Sequence, residues 1–214
     1  MADIFNEIEE EIRHDRAKVV WQKYGKYVIG LAIVIVLVTV GQTGWKEYTN
    51  SVRIDRSDRF AAAMTAAKEN NLTAAAGLFS ELGEDGGAGY GALARLQSAA
   101  LQVETGDKEG AMLAYEGLSN DTDIDPLYRD LATILSVMHQ MDTGDASQLL
   151  EKLGPQLAED APWRFTAREL AAALSVSLGE LEKAKEYLAA ITDDLAAPQG
   201  ARARATERLK AMGG

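Results

Sequence analysis

The feature that most constrains this chain is a run of nineteen residues without a charge, Tyr27 to Trp45, whose centre reads Val-Ile-Gly-Leu-Ala-Ile-Val-Ile-Val-Leu-Val-Thr-Val from Val28 to Val40. As a helix it would rise roughly 28 Å at about 1.5 Å per residue, close to the hydrocarbon thickness of a bilayer. Its ten Val, Ile and Leu side chains each favour insertion by about 0.3–0.6 kcal/mol, roughly 3–6 kcal/mol together. No polar face interrupts the run, so a buried core helix does not fit it. Trp21, Tyr24 and Tyr27 on one flank and Trp45 and Tyr48 on the other form paired aromatic belts. A transmembrane helix is therefore expected over 27–45, with Tyr27, Val28, Ile29, Leu31, Ile33, Val34, Ile35, Val36, Leu37, Val38, Val40 and Trp45 forming the anchor. A cleavable signal peptide fits poorly: its basic region would be 26 residues long, and Gly-Gln-Thr-Gly-Trp after Val40 offers no small-x-small site.

Basic residues set the expected orientation. Arg13, Arg16, Lys18, Lys23 and Lys26 crowd the N-terminal flank, against Lys46 and Arg53 just beyond the run. Positive charge stays inside, so residues 1–26 are expected in the cytoplasm and the remainder exported, in a double-membrane bacterium to the periplasm. Residues 46–57 read as a polar connection and 58–214 as the exported domain. The formal charge of −11 lies entirely after the anchor: residues 1–46 balance 6 Lys/Arg against 6 Asp/Glu, whereas residues 47–214 carry 16 and 27. So acidic a domain repels phosphate backbones, which argues against nucleic acid as a partner. With no cysteine in the chain, disulfides, thiolate metal sites and thiol catalysis are excluded.

Helix-favouring residues and only 4 prolines point to an all-α domain. Its punctuation repeats: Thr105-Gly106-Asp107, Thr143-Gly144-Asp145 and Leu178-Gly179-Glu180, with a weaker copy at Asn70-Asn71. Each follows an apolar-periodic run and precedes a shorter one, the pattern of helix, tight turn, helix. The glycine is expected to end one helix in the left-handed conformation and the following acid to cap the next. Ala111 and Ala184 supply the small residue that lets paired helices approach; the Gly144 copy has Gln148 and Leu149 there. Asp125-Pro126 and Asp160-Ala161-Pro162 read as starts of long helices, and Pro198 opens a last one through Met212 that covers the final pair.

Gly106-Asp107, then Ala111, then Tyr115 resemble the tetratricopeptide repeat pattern. The whole layout, with Trp163, Ala167, Glu169-Leu170, Gly179-Glu180, Ala184 and Arg202-Ala203-Arg204-Ala205 with Leu209, resembles the tetratricopeptide-like family typified by the ancillary subunit of the SecYEG translocon in Gram-negative bacteria. That resemblance implies a solenoid of three to four helical hairpins behind one transmembrane helix. As partners it implies the SecYEG channel, a membrane-anchored periplasmic peptidyl-prolyl isomerase, and unfolded or emerging polypeptides. No cofactor is implied. A scaffold subunit of another envelope complex, in outer-membrane assembly or cell division, is the alternative reading.

Chemistry is sparse. Asp121-Thr-Asp123-Ile-Asp125 starts like a calcium loop but has Pro126 where Gly is required and Ala132 where the bidentate Glu belongs. His14 and His139 fall on opposite sides of the expected membrane, so neither zinc nor a histidine triad is supported. Gly86-Gly87-Ala88-Gly89-Tyr90-Gly91 follows a helix and lacks the Lys-Ser/Thr ending of a phosphate loop, and reads as a flexible connection. An enzyme is not expected. For partner binding, Ile4, Ile8 and Ile12 form one stripe of an amphipathic segment, read as interfacial or as a docking element. Leu93, Leu96, Ala100 and Val103, with Leu131, Ile134, Met138 and Met141, share equivalent faces of two long helices. Repeat packing accounts for most of that spacing, leaving Met138 and Met141 as groove candidates.

Overall fold

The computed structural model describes the backbone from Ala2 to Gly213 and the side chains from Trp21 onward, apart from residues 22, 25, 28 and 32. The side chains of Ile4, Ile8 and Val28 thus lie outside the described residues. The regular elements among the described residues are helices: α1 (Ala2–Lys68), α2 (Leu72–Asp85), α3 (Ala92–Thr105), α4 (Lys108–Ser119), α5 (Pro126–Gln140), α6 (Ala146–Lys152), α7 (Arg164–Ser177), α8 (Leu181–Thr192) and α9 (Gln199–Ala211). A π-helical turn, Gly87–Gly91, links α2 to α3, and a 3-10 turn, Gly154–Leu157, follows α6. The chain divides into two compact units, Met1–Asp55 and Arg56–Gly214.

The first unit is helical and carries the apolar run. Thr39 donates its hydroxyl to the Ile35 carbonyl at 2.8 Å and Thr43 to that of Thr39 at 2.9 Å, so both polar groups are satisfied within their own helix. The polar connection over 46–57 is also helical, and neither Gly nor Pro occurs from Lys46 to Lys68 to interrupt it.

The second unit is a series of helical hairpins. The end of α1 pairs with α2, α3 with α4, α5 with α6 and α7 with α8, while α9 closes on α8. First helices also pack in series, α3 on α5, α5 on α7 and α7 on α9. One register governs every second helix. Counting from the cap residues Asn71, Asp107, Asp145 and Glu180, positions four, eight and eleven on are buried: Ala75, Phe79 and Leu82; Ala111, Tyr115 and Leu118; Leu149, Leu153 and Gln156; Ala184, Leu188 and Ile191. The spacing puts all three on one helix face.

The turns meet the expectation in part. Gly106 and Gly179 have φ of +94° and +77°, and Asp107 accepts a bond from the Gly110 N–H at 3.0 Å. The weak first copy is complete: Asn70 takes the left-handed conformation at φ +61°, as Asn tolerates it, and Asn71 caps α2 through the Ala74 N–H. Two expectations are corrected. Gly144 has no positive φ; a Cβ there would sit 3.0 Å from both the Gln140 carbonyl oxygen and Leu149 Cδ1, so the glycine marks a tight site and not a left-handed turn. Glu180 makes no side-chain cap, and its carboxylate pairs instead with Lys183 at 3.3 Å. The Gly-rich stretch is likewise a close-packed turn, because a Cβ on Gly86 would collide with Leu82 O and the Gly91 backbone.

Replacing Gly106 with Ala should cost about 1–2 kcal/mol through the left-handed backbone. Asn70→Gly should shift stability by less than about 0.5 kcal/mol. Urea midpoints of the two variants check both.

Candidate functional site

The apolar faces of α3 and α5 divide into buried and open positions. Leu96 and Ile134 are buried in adjacent cores, and Val103, Leu131 and Met141 pack half-buried against those cores. Leu93 is also half-buried. Of these eight residues Ala100 and Met138 are exposed, Met138 at 42%, and both stand six residues before a turn glycine, Gly106 and Gly144; Leu127, one turn before Leu131, is open as well. The open face is therefore a column of single positions, with Met138 and Leu127 its large apolar members.

Two clefts open on the repeat domain. One of about 450 Å³ lies among α2, α3 and α4, lined by small residues including Ser80, Gly83, Ala114 and Gly117 beside Arg95 and Gln102. Arg95 binds Asp121 at 2.7 Å, and that bond holds the Asp121 carboxyl below the usual carboxylate range. The other, about 290 Å³, lies between α7 and α9, where Trp163 and Phe165 face Pro198 and Gly200. Arg204 grips Glu169 there at 2.6 and 3.1 Å, which raises the arginine's already high pKa. Trp163 precedes α7 and is tied to α5 by its indole N–H, which donates to the Leu127 carbonyl at 3.0 Å. No three His, Cys, Asp or Glu side chains among the described residues converge as a metal site. His139 stacks on the Tyr115 ring at 5.9 Å.

One cross-repeat cluster escaped the reading of the sequence. Lys152 donates to Glu116 on α4 at 3.1 Å and to the buried Ser136 on α5 at 3.1 Å, and Gln140 donates to the same hydroxyl at 2.8 Å. Lys152 and Glu116 are 36 residues apart, about one repeat, and only the stacking of hairpins brings them together. The one legible signal nearby is Gly154-Pro155, where the missing proline N–H stops α6 early.

In the first unit the described anchor side chains are all exposed, from 52% at Ile29 to 69% at Trp45. Among the described residues one helical segment, Ile29–Lys68, is long and apolar enough to cross a membrane, and its apolar window has no burial against protein. An apolar surface of this extent marks contact with lipid or with other protein.

A family model for a tetratricopeptide repeat-like domain matches residues 18–211. The chain belongs to that family, and the match takes in the apolar run as well as all the hairpins. Such repeat domains act as protein–protein interaction scaffolds and are typically non-catalytic. No curated protein and no solved structure matches the chain.

The Tyr115 hydroxyl is fully buried without a hydrogen-bond partner, and burial raises its pKa above 10.0. Tyr115→Phe should therefore stabilise the domain by about 1 kcal/mol. Because the folded state favours the neutral phenol, the wild type loses stability as pH rises through the unfolded phenol value of about 10. Parallel unfolding curves of the two proteins at neutral and alkaline pH should separate further at the alkaline end.

Proposed function

We propose that this protein is a single-pass inner-membrane scaffold whose periplasmic repeat domain binds protein partners in export. The observation that carries this reading is the pairing of one exposed, uncharged, aromatic-flanked helix with an acidic array of helical hairpins in one chain. Residues 27–45 cross the bilayer, residues 1–26 lie in the cytoplasm with their five basic residues, and 58–214 form the periplasmic domain. The family match from residue 18 supports an anchor that belongs with the repeats.

Resemblance to the ancillary translocon subunit suggests the finer assignment: the SecYEG channel as membrane partner, a membrane-anchored peptidyl-prolyl isomerase beside it, and emerging polypeptides as clients. Ile4 and Ile8 would meet the cytoplasmic side of such a complex. Met138, with Met141 at its base, offers a polarizable contact for an apolar client segment. Surplus acidic charge keeps the domain soluble around that contact.

Two experiments test this reading. Photoreactive residues at Met138 and Ile8 in native membranes should crosslink to channel subunits and exported chains; capture confined to division or outer-membrane factors would assign the protein to a different envelope scaffold. Protease added to intact spheroplasts should digest the C-terminal domain, and an alkaline wash should leave the full-length chain in the bilayer. Protection of that domain, or release by the wash, would overturn the topology.

A further inference from the structure

The third hairpin departs from its neighbours in several independent ways. Its second helix, α6, has 7 residues where α4 and α8 have 12, and it gives way to a 3-10 turn at Pro155. It meets α5 along a much smaller surface than α4 shares with α3 or α8 with α7. Leu149 occupies the position where the other three hairpins carry Ala, and presses toward Gly144. The position eleven residues after the cap, apolar in the other three, is Gln156, 6% exposed, whose Oε1 has no partner and whose Nε2 reaches Asp130 only at 3.3 Å.

Polar groups concentrate here. Of the four polar residues buried among the described residues, Thr133, Ser136, Gln156 and Ser175, three belong to this hairpin; the hydroxyls of Thr133 and Ser136 are hydrogen-bonded, and the buried atoms without a partner, Gln156 Oε1 and Arg129 Nε here, are matched by two each in the second and fourth hairpins. A buried Gln where the other hairpins place Leu or Ile weakens the packing here, and a helix of two turns has little stability of its own. What holds α6 down is the buried pair Leu149 and Leu153, the partly buried Ala146 and Leu150 beside them, and the bonds from Lys152 to Ser136 on α5 and to Glu116 of the preceding hairpin.

We infer that the third hairpin is a conformational joint: α6 and the following turn detach locally, dividing the solenoid into two cooperative blocks, the end of α1 with α2–α4 and α7–α9, that reorient about α5. Opening exposes Leu149, Leu153 and the Val137 face they cover. Repeat arrays are held by nearest-neighbour interfaces, so one weak interface in the middle sets where the array bends.

Hydrogen exchange on the full-length protein in detergent micelles tests the joint, comparing amides at equivalent register positions. Leu153 and Gln156 should exchange at least about tenfold faster than Tyr115, Leu118, Leu188 and Ile191. Gln156→Leu, which restores an apolar side chain, should slow exchange in α6, and Lys152→Gln should quicken it, each leaving α8 unchanged. If Gln156→Leu does not fold, the wild type and Lys152→Gln carry the comparison. Protection in α6 equal to that in α8, fast exchange spread evenly over α5 and α7, or an α6 rate that the folded variants leave unmoved would each overturn the joint.

Discussion

A helical hairpin of about 30 residues cannot bury its own apolar faces, so each one here is stable only as part of a stack. The stack depends on how the second helix of each hairpin seats against its neighbours. Small residues at Ala75, Ala111 and Ala184 let the helices close, and Phe79, Tyr115 and Leu188 four residues later fill the space between hairpins. Capping turns hold that seating, because a shift of one residue would rotate the buried face by about 100°. The clefts, the open column at Ala100 and Met138 and the cross-repeat ion pairs all follow from it.

The first unit poses a different burial problem, because its apolar side chains are exposed. In water the exposed Val, Ile and Leu side chains of α1 would be a liability, whereas in lipid they are the favourable surface and the helix satisfies every backbone group internally. The Thr39 and Thr43 hydroxyls are bonded back to the carbonyls of Ile35 and Thr39. Neighbouring hairpins bury the apolar faces of the second unit, whereas the apolar surface of the first stays open on a helix long enough to cross a membrane.

Much of this was legible because it is local. The charge-free run, the Gly106-Asp107 and Gly179 turns, the Asp125 cap and the Pro198 start depend on residues within one or two helical turns of each other. Asn70 was harder to read as a turn residue because asparagine reaches the left-handed region less often than glycine, yet it does the same work. Gly144 misled in the opposite sense: glycine signals either backbone freedom or lack of room, and only the positions of the Gln140 carbonyl and Leu149 distinguish them. The candidate site was legible only as a face, since eight apolar residues at helical spacing look alike until packing covers all but two positions.

The sequence by itself determined the helical class, a repeat of three to four hairpins, the membrane-compatible run and the placement of the acidic charge, because periodicity and composition act over short distances. Tertiary structure alone decided that Met138 is open while Ile134 is buried, that Lys152 finds Glu116 and Ser136, and that the third hairpin buries Gln156 where its neighbours bury Leu or Ile. Those outcomes depend on contacts between residues some 16 to 36 positions apart, whose geometry exists only once the hairpins are stacked.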